Sequence, residues 1–319
     1  MWAYMARRFI QALITLLVIT VICFTLTRLS SDPMAQYANR PGITAADKER
    51  IRKQLGLDQP LPVQYLSWLT MALHGNLGNS LFSKQPVIDL IKQRLPMTLI
   101  LMFTAEIIII IVSLVLGTIS AVKQYSLTDN IITTLSFSGY SMPIFFIALG
   151  LMLIFSVKFK AWGFPSLPTG ADVWNTKNPK ELIQHMILPV TCLVIITTAG
   201  YSRFLRSSIL EILGMDYVRT ARAKGLQERV VLYKHTLRNA VLPFVTLIGL
   251  DIAFLFAGAL VTESVYAWPG MGRLFWEYAQ RGDFPVVNGV LLLVSSLVVF
   301  FTIVTDLLYT FIDPRIHLE

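Results

Sequence analysis

The chain has 319 residues, of which 55% are hydrophobic and only 14% charged, with a net charge of +8. Ordinary soluble domains carry roughly 25% charged residues. A chain of this length with so little charge cannot coat a water-soluble globule, and a mean hydropathy of +0.62 excludes disorder and collagen-like repeats in favour of a polytopic membrane protein. The cationic excess needs no nucleic acid, because loops on the cytoplasmic side of membranes collect Lys and Arg. Cys23 and Cys192 both sit inside apolar runs, which supports neither a disulfide framework nor a zinc site.

A spanning helix needs about 20 mostly apolar residues. Six runs qualify, near residues 9–29, 97–122, 131–156, 186–202, 241–262 and 286–311. The continuous apolar stretch Ile107 to Ile111 argues for helices against a closed barrel, whose strands alternate. The first run follows Arg7 and Arg8, is too long for a signal-peptide core and lacks a small-residue cleavage site, so it reads as a retained span. With the N-terminus placed in the cytoplasm, segments 1–8, 123–130, 203–240 and 312–319 lie inside and hold 12 Lys/Arg. The short outer segments 157–185 and 263–285 hold 6. Both termini are therefore expected in the cytoplasm of a cell (inner) membrane protein.

The chain divides into residues 1–29 (N-terminus and first span), an extracytoplasmic segment 30–96, and a five-span core 97–319 that contains a basic loop at 203–240. In the outer segment, Asp47 to Leu55 reads as a charged helix ended by Gly56 and Pro60. Tyr65, Leu66, Trp68, Leu69 and Leu73 then recur at helical spacing until Gly75 and Gly78. A small ordered cap on the outer membrane face is expected.

Within the basic loop, Asp216 is a candidate N-cap for a short helix with Tyr217, Val218 and Ala221 on one side. Gly225 ends it, and Val230, Val231, Lys234 and Leu237 pattern a second helix. Such a basic helix–turn–helix between two spans can lie on anionic lipid, read DNA, or dock a soluble partner through the small residues Ala221, Ala223 and Gly225. Its place between spans disfavours DNA.

The segments T-A-R-A-K-G-L (220–226) and K-H-T-L-R-N-A-V-L-P (234–243) resemble the coupling region of ABC-importer membrane subunits in the dipeptide/oligopeptide permease family. G-L-D-Q-P-L-P-V-Q-Y (56–65), H-G-N-L-G-N-S (74–80), P-V-I-D-L-I (86–91), V-T-E-S-V-Y-A-W-P-G-M-G (261–272) and D-P-R (313–315) resemble the same family. Together they cover essentially the whole chain in order. Two positions depart from the pattern. Arg219, Thr220 and Ala221 stand where the general coupling motif has Glu-Ala-Ala, and Asn76 stands where many relatives carry Asp.

The resemblance implies an all-α fold of six transmembrane helices like that of type I ABC importers, with no catalytic residue and no bound cofactor or metal. ATP and Mg would be used by two cytoplasmic P-loop ATPase subunits, beside a second homologous permease subunit and an extracytoplasmic solute-binding protein. Consistent with this, the sequence has no G-x-x-x-x-G-K-[ST] loop and no H-E-x-x-H motif, and its four histidines are scattered. Tyr217, Ala221, Arg222, Ala223, Lys224, Gly225 and Leu226 become the expected ATPase-coupling surface. The solute is expected to be a di- or oligopeptide; nickel complexes, glutathione and oligosaccharides are the alternatives within the family.

Carboxylates inside spans usually face the bundle interior or water. Asp251 and Glu106 are therefore candidate pathway residues, with a structural hydrogen bond as the competing role. In the segment 263–285, Trp268, Pro269, Gly270 and Gly272 demand a tight turn. The resemblance implies a re-entrant loop here at the outer mouth, with Glu263 and Trp268 as candidate pathway residues and Glu277 and Asp283 as further acidic groups; an aromatic belt of Tyr266, Trp268 and Trp276 is the alternative. A stand-alone secondary transporter would need a matching second half, and a membrane enzyme a nucleophile–base pair; neither pattern is present.

Overall fold

In the computed structural model, which describes residues 2–30, 34, 44–54, 56–170 and 178–312, regular structure is helical apart from one isolated bridge, Asn79 to Pro86. Helices are the form in which a membrane-buried backbone satisfies its own amides. In chain order they are α1 (Trp2–Ser30), α2 (Ala45–Gln54), α3 (Leu61–Leu73), α4 (Val87–Val122), α5 (Leu127–Ser141), α6 (Ile144–Ala161), α7 (Pro179–Leu213), α8 (Asp216–Ala223), α9 (228–255), α10 (Leu260–Val265), α11 (Met271–Gln280) and α12 (Phe284–Ile312). The D-P-R segment at 313–315 lies outside the described residues.

Among the described residues, five helices are long and apolar enough to cross a membrane: α1, α4, α6, α7 and α12. The run expected at 131–156 is instead divided. Pro143 has no amide to donate and forces Met142 into an extended conformation (φ −82°, ψ 131°), so α5 stops at Ser141 and α6 starts afresh and runs on to Ala161. The short fourth run proves to be part of a 35-residue helix, α7, which carries Pro189 within it and takes the first eleven residues of the basic loop. The fifth run, 241–262, is also interrupted. The helical stretch Arg238–Leu255 ends before Gly258, which is left-handed (φ +76°), and α10 follows. Among the described residues, a widened turn lies at Leu153–Lys158 in α6 and another at Val231–Leu237 in α9.

The chain forms two compact units, residues 1–96 with 270–319, and residues 97–269. In the first unit α1 packs along α12, and Thr27 donates to the Asn288 side chain (2.9 Å). Val87, Leu90 and Ile91 meet Met271, Leu274, Tyr278, Val286 and Val290 in a buried cluster. Asp283 is buried beneath it and accepts from the Ser80 hydroxyl (2.6 Å) and the Phe82 amide (3.0 Å), which pins the loop before α4.

In the second unit α7 is the central helix. Leu101, Ala105 and Ile109 of α4, Tyr201, Leu205 and Ile209 of α7 and Phe244 of α9 form its main core. Ile147 and Ala148 of α6 pack with Leu188 and Cys192 of α7 in a second cluster. Small residues bring the helices together: a Cβ on Gly117 would lie 2.9 Å from the Ser202 carbonyl oxygen and 3.1 Å from Leu205. Replacing Gly117 by Val should therefore push α4 off α7 and cost about 1–3 kcal/mol of stability, read as a fall in the melting temperature of the purified protein. An unchanged melting temperature would show that this contact is not close-packed.

Candidate functional site

The basic loop builds its short helix as follows. Met215 is extended (φ −72°, ψ 145°) and is the N-cap, so Asp216, expected to cap, is the first helical residue. Its carboxylate still favours the helix N-terminus, and it pairs with Arg219 at 3.5 Å on the exposed side. Val218 and Ala221 are buried against Val231 with Ile212 and Leu213 around them. Tyr217, expected on the same side, is exposed and accepts from the Asn239 amide (3.1 Å).

At the other end, the Gly225 amide donates to the Arg222 carbonyl (2.9 Å) and the Leu226 amide to the Ala221 carbonyl (3.4 Å). This paired closure needs a left-handed residue, and Gly225 supplies it at φ +74°. Arg222, Ala223, Lys224, Gly225 and Leu226 are all exposed, while Arg222 is oriented by Glu228 (2.8 Å). Six of the seven residues singled out for docking thus form one exposed strip, and the seventh, Ala221, anchors it.

Above α8, the lower part of α7 is clamped. Arg206 donates to Asp129 from Nε (2.9 Å) and Nη2 (2.8 Å), and the same carboxylate accepts from the Ser120 hydroxyl and from the Tyr125 amide (2.9 Å). Asp129 is almost wholly buried. Hydrogen bonding by Arg206, reinforced by Ser120 and the Tyr125 amide, holds its carboxyl well below the usual carboxylate range against the opposing effect of burial. One side chain therefore ties together α4, α5 and α7. Sequence reasoning missed it, although Ser126-x-x-Asp129 is a capping-box pattern, and Ser126 does accept from the Asp129 amide (3.3 Å). Nothing in the sequence names Arg206 as the partner 77 positions away.

The two span carboxylates share one neighbourhood. Glu106 of α4 is buried, its Oε1 has no hydrogen-bond partner, and it lies within electrostatic reach of Asp251 of α9. Asp251 accepts a hydrogen bond from the Tyr201 hydroxyl of α7, a residue the sequence did not single out. Three helices thus contribute two carboxylates and a phenol to a polar patch within an otherwise apolar core.

Glu263 and Trp268 are placed differently. Both are fully buried: Glu263 accepts from the Thr98 hydroxyl (2.8 Å), and Trp268 donates from Nε1 to the Met97 carbonyl (3.0 Å). Tyr266 is buried too, donating to the Ala148 carbonyl (3.0 Å), so of the three aromatics considered for a belt only Trp276 is exposed. The tight turn uses Ala267 as its left-handed residue (φ +51°), with Gly270 extended at the N-cap of α11. The left-handed conformation costs Ala267 about 1–2 kcal/mol; the enclosed Trp268 that it orients offsets this. Among the described residues, no three His, Cys, Asp or Glu side chains gather into a set that could hold a metal ion.

Comparisons with known proteins agree along the entire chain. Residues 113–318 match the family described as binding-protein-dependent transport system inner membrane component, and residues 1–102 match the N-terminal region of such membrane components. The oligopeptide transport system permease protein of Bacillus subtilis is 40% identical over 99% of this chain and 100% of its own length. The dipeptide transport system permease protein of Escherichia coli K12 is 37% identical over 99% of both. In fold, the chain is similar to the crystal structure of an amino acid ABC transporter with histidines. The TM-score is 0.50 at 16% identity, covering 72% of this chain and 95% of that one.

Removing one partner of a buried ion pair costs about 3–5 kcal/mol. Asp129→Asn and Arg206→Ala should both lower thermal stability, with the lower end of that range expected because Arg206 is 22% exposed. Because the folded-state pKa of Asp129 is depressed, its contribution is present above the unfolded carboxylate value of about 4 and is lost as pH falls below it. The stability gap between wild type and Asp129→Asn should therefore hold from pH 7 down to about pH 4 and narrow only as pH falls further, as measured by melting curves at pH 7, about 4 and about 2. A gap independent of pH would mean that the charge is not what holds the three helices.

Proposed function

Because the chain belongs to the family of binding-protein-dependent transport system inner membrane components, we propose that it is one of two permease subunits of an ATP-driven importer of di- or oligopeptides. The peptide assignment follows the names of its full-length relatives. This chain performs no chemistry of its own. ATP and Mg are used by two cytoplasmic ATPase subunits, and an extracytoplasmic binding protein delivers the peptide. Both termini lie in the cytoplasm, following the Lys/Arg asymmetry of the loops.

The observation that carries the mechanism is α8, a short helix whose inner side is fastened to the chain and whose basic outer strip is bare. An ATPase groove takes this strip, from Tyr217 to Leu226. The small residues Ala223 and Gly225 allow close approach, and Arg222 and Lys224 steer an acidic partner surface. Closure of the ATPase pair displaces α8. The displacement passes from Val218 and Ala221 into α9 through Val231 and into α7 through Ile212 and Leu213 and, because Asp129 ties α7 to α4 and α5, it moves these helices together. ATP binding then biases the balance between inward- and outward-open states by its differential contact with α8.

The pathway reading is strongest for Asp251 and Glu106. Two carboxylates in an apolar surround attract a cation, and the ammonium of a peptide's amino terminus is the matching group. Glu263 and Trp268, fully buried with partners inside the chain, act as fasteners of the turn after α10 rather than as direct solute contacts.

Two experiments test this reading. Affinity purification from native membranes should recover P-loop ATPases with the wild-type chain and lose them with Gly225→Pro, which cannot adopt φ +74°, while the second permease subunit is retained. Retention of the ATPases by Gly225→Pro would refute the docking role of this strip. In transport assays, Asp251→Asn should lower peptide uptake by about tenfold or more, the worth of one charge-assisted contact, with assembly intact. Unchanged uptake by a fully assembled variant would remove Asp251 from the pathway.

A further inference from the structure

The unit formed by residues 1–96 and 270–319 contains a cavity of about 500 Å³ where the end of α1, the helix α3 and the start of α12 meet. That size lies within the roughly 300–1,000 Å³ of pockets that hold small molecules. Three of its lining residues carry buried polar atoms that no hydrogen bond satisfies: Arg28 Nε, Trp68 Nε1 and Gln64 Oε1. Leaving such an atom without a partner is unfavourable. The three atoms are closed to water in this structure, so a ligand in the cavity engages this donor–donor–acceptor set by turning the side chains toward it.

The placement follows from helical geometry. Phe24 and Arg28 are one turn apart on α1, and Gln64 and Trp68 are one turn apart on α3. Phe24 stacks against Tyr65 (5.6 Å) and Trp68 (5.5 Å), and Thr20 shares a hydrogen bond with Tyr65 (2.9 Å), so α3 lies along the last turns of a membrane-crossing helix. Arg28 sits over the rings of Phe24 (5.5 Å) and Phe284 (5.8 Å), which fix its guanidinium at the cavity. Gln64 is held by its own amide, which donates to the Gln59 carbonyl (2.7 Å) and leaves its carbonyl oxygen free.

The surroundings determine what kind of ligand fits. α3 is mostly apolar yet has no buried residue, and its Leu66 and Met71 are exposed, as are Ile22 and Leu26 on α1. An arginine in the last turn of a spanning helix stands at headgroup level, where apolar surface below it meets acyl chains.

We propose that this cavity binds one phospholipid with an anionic, hydroxyl-bearing headgroup of the phosphatidylglycerol type. Arg28 and Trp68 donate to the phosphate, and Gln64 accepts from a headgroup hydroxyl. The acyl chains lie on the exposed apolar residues of α1 and α3. Occupancy fastens α3 to the span it rests on.

The test uses the assembled complex in nanodiscs of equal parts phosphatidylglycerol and phosphatidylcholine with matched chains, with retained lipid read by native mass spectrometry. The wild type should keep one phosphatidylglycerol at this chain in preference to phosphatidylcholine. Arg28→Gln and Trp68→Phe should each reduce its retention by about tenfold or more. If Arg28→Gln does not assemble, Trp68→Phe, which removes a single N–H, decides alone. Equal retention of the two lipids, or unchanged retention in the variants, overturns the proposal. Displacement by soluble glycerophosphate or by a transported peptide at matched concentration also overturns it, assigning the cavity to a free phosphate or to the solute.

Discussion

A hydrocarbon solvent accepts no unpaired amide, and every feature of this protein is arranged around that constraint. It makes the fold helical and confines irregular backbone to a few places. Two of these, the break at Met142 and Pro143 and the turn near Gly258, interrupt spans that hydropathy presents as continuous. It also makes each buried charge informative, because a carboxylate at depth must be paired, hydrated or in use. Asp129, Asp251, Glu106 and Asp283 meet this demand in different ways. Asp129 has a bidentate arginine, Asp283 a hydroxyl and a backbone amide, Asp251 a tyrosine, and Glu106 keeps one oxygen without a partner.

This range separates scaffold from site. A carboxylate with its acceptor positions filled by the chain itself is spent on structure, as at Asp129, where Arg206, Ser120 and the Tyr125 amide converge. A carboxylate left partly open, beside a second one and a phenol, as at Glu106, is the feature on which the proposed pathway role rests. The apolar surround raises the energetic stake of both cases, since a wrongly satisfied polar group is expensive there. The same reasoning distinguishes Glu263, enclosed and bonded to Thr98, from Glu106, although hydropathy alone ranks them as similar candidates.

Much of this was legible in the sequence. The membrane class, the helical runs and the Gly-ended helix of the basic loop follow from patterns whose physics is local. Gly225 is left-handed as its position implies, and the capped helix at 61–73 contains every aromatic and leucine read there. The errors arise where local rules compete or distant residues decide. Asp216 is as good a cap as Met215 is poor, yet the packing of Val218 and Ala221 under α7 sets the helix start one residue earlier. Spacing puts Tyr217 on one side with Val218 and Ala221, but these two small aliphatic residues fill the packed side and leave the ring outside. Gly270 and Gly272 advertise a tight turn, while the left-handed residue is Ala267, held there because Trp268 must reach the Met97 carbonyl. Arg206 pairs with Asp129 across 77 positions, a relation no periodicity encodes.

The size of α8 is itself explained by its attachment. Eight residues are far too few to be helical alone, since isolated helices shorter than about 12–15 residues are marginal in water. Stability must come from the three buried residues Val218, Ala221 and Val231 and from the paired hydrogen bonds that close the helix at Gly225. Such a helix depends on its docking against the start of α9 and the end of α7, and its position is therefore tied to both. A longer helix would be stable by itself and could slide or bend without moving the spans. In the coupling role proposed for it, a short, dependent helix would transmit displacement because its alternative is to unfold, and the Asp129 clamp would carry that displacement to α4 and α5 as well as α7.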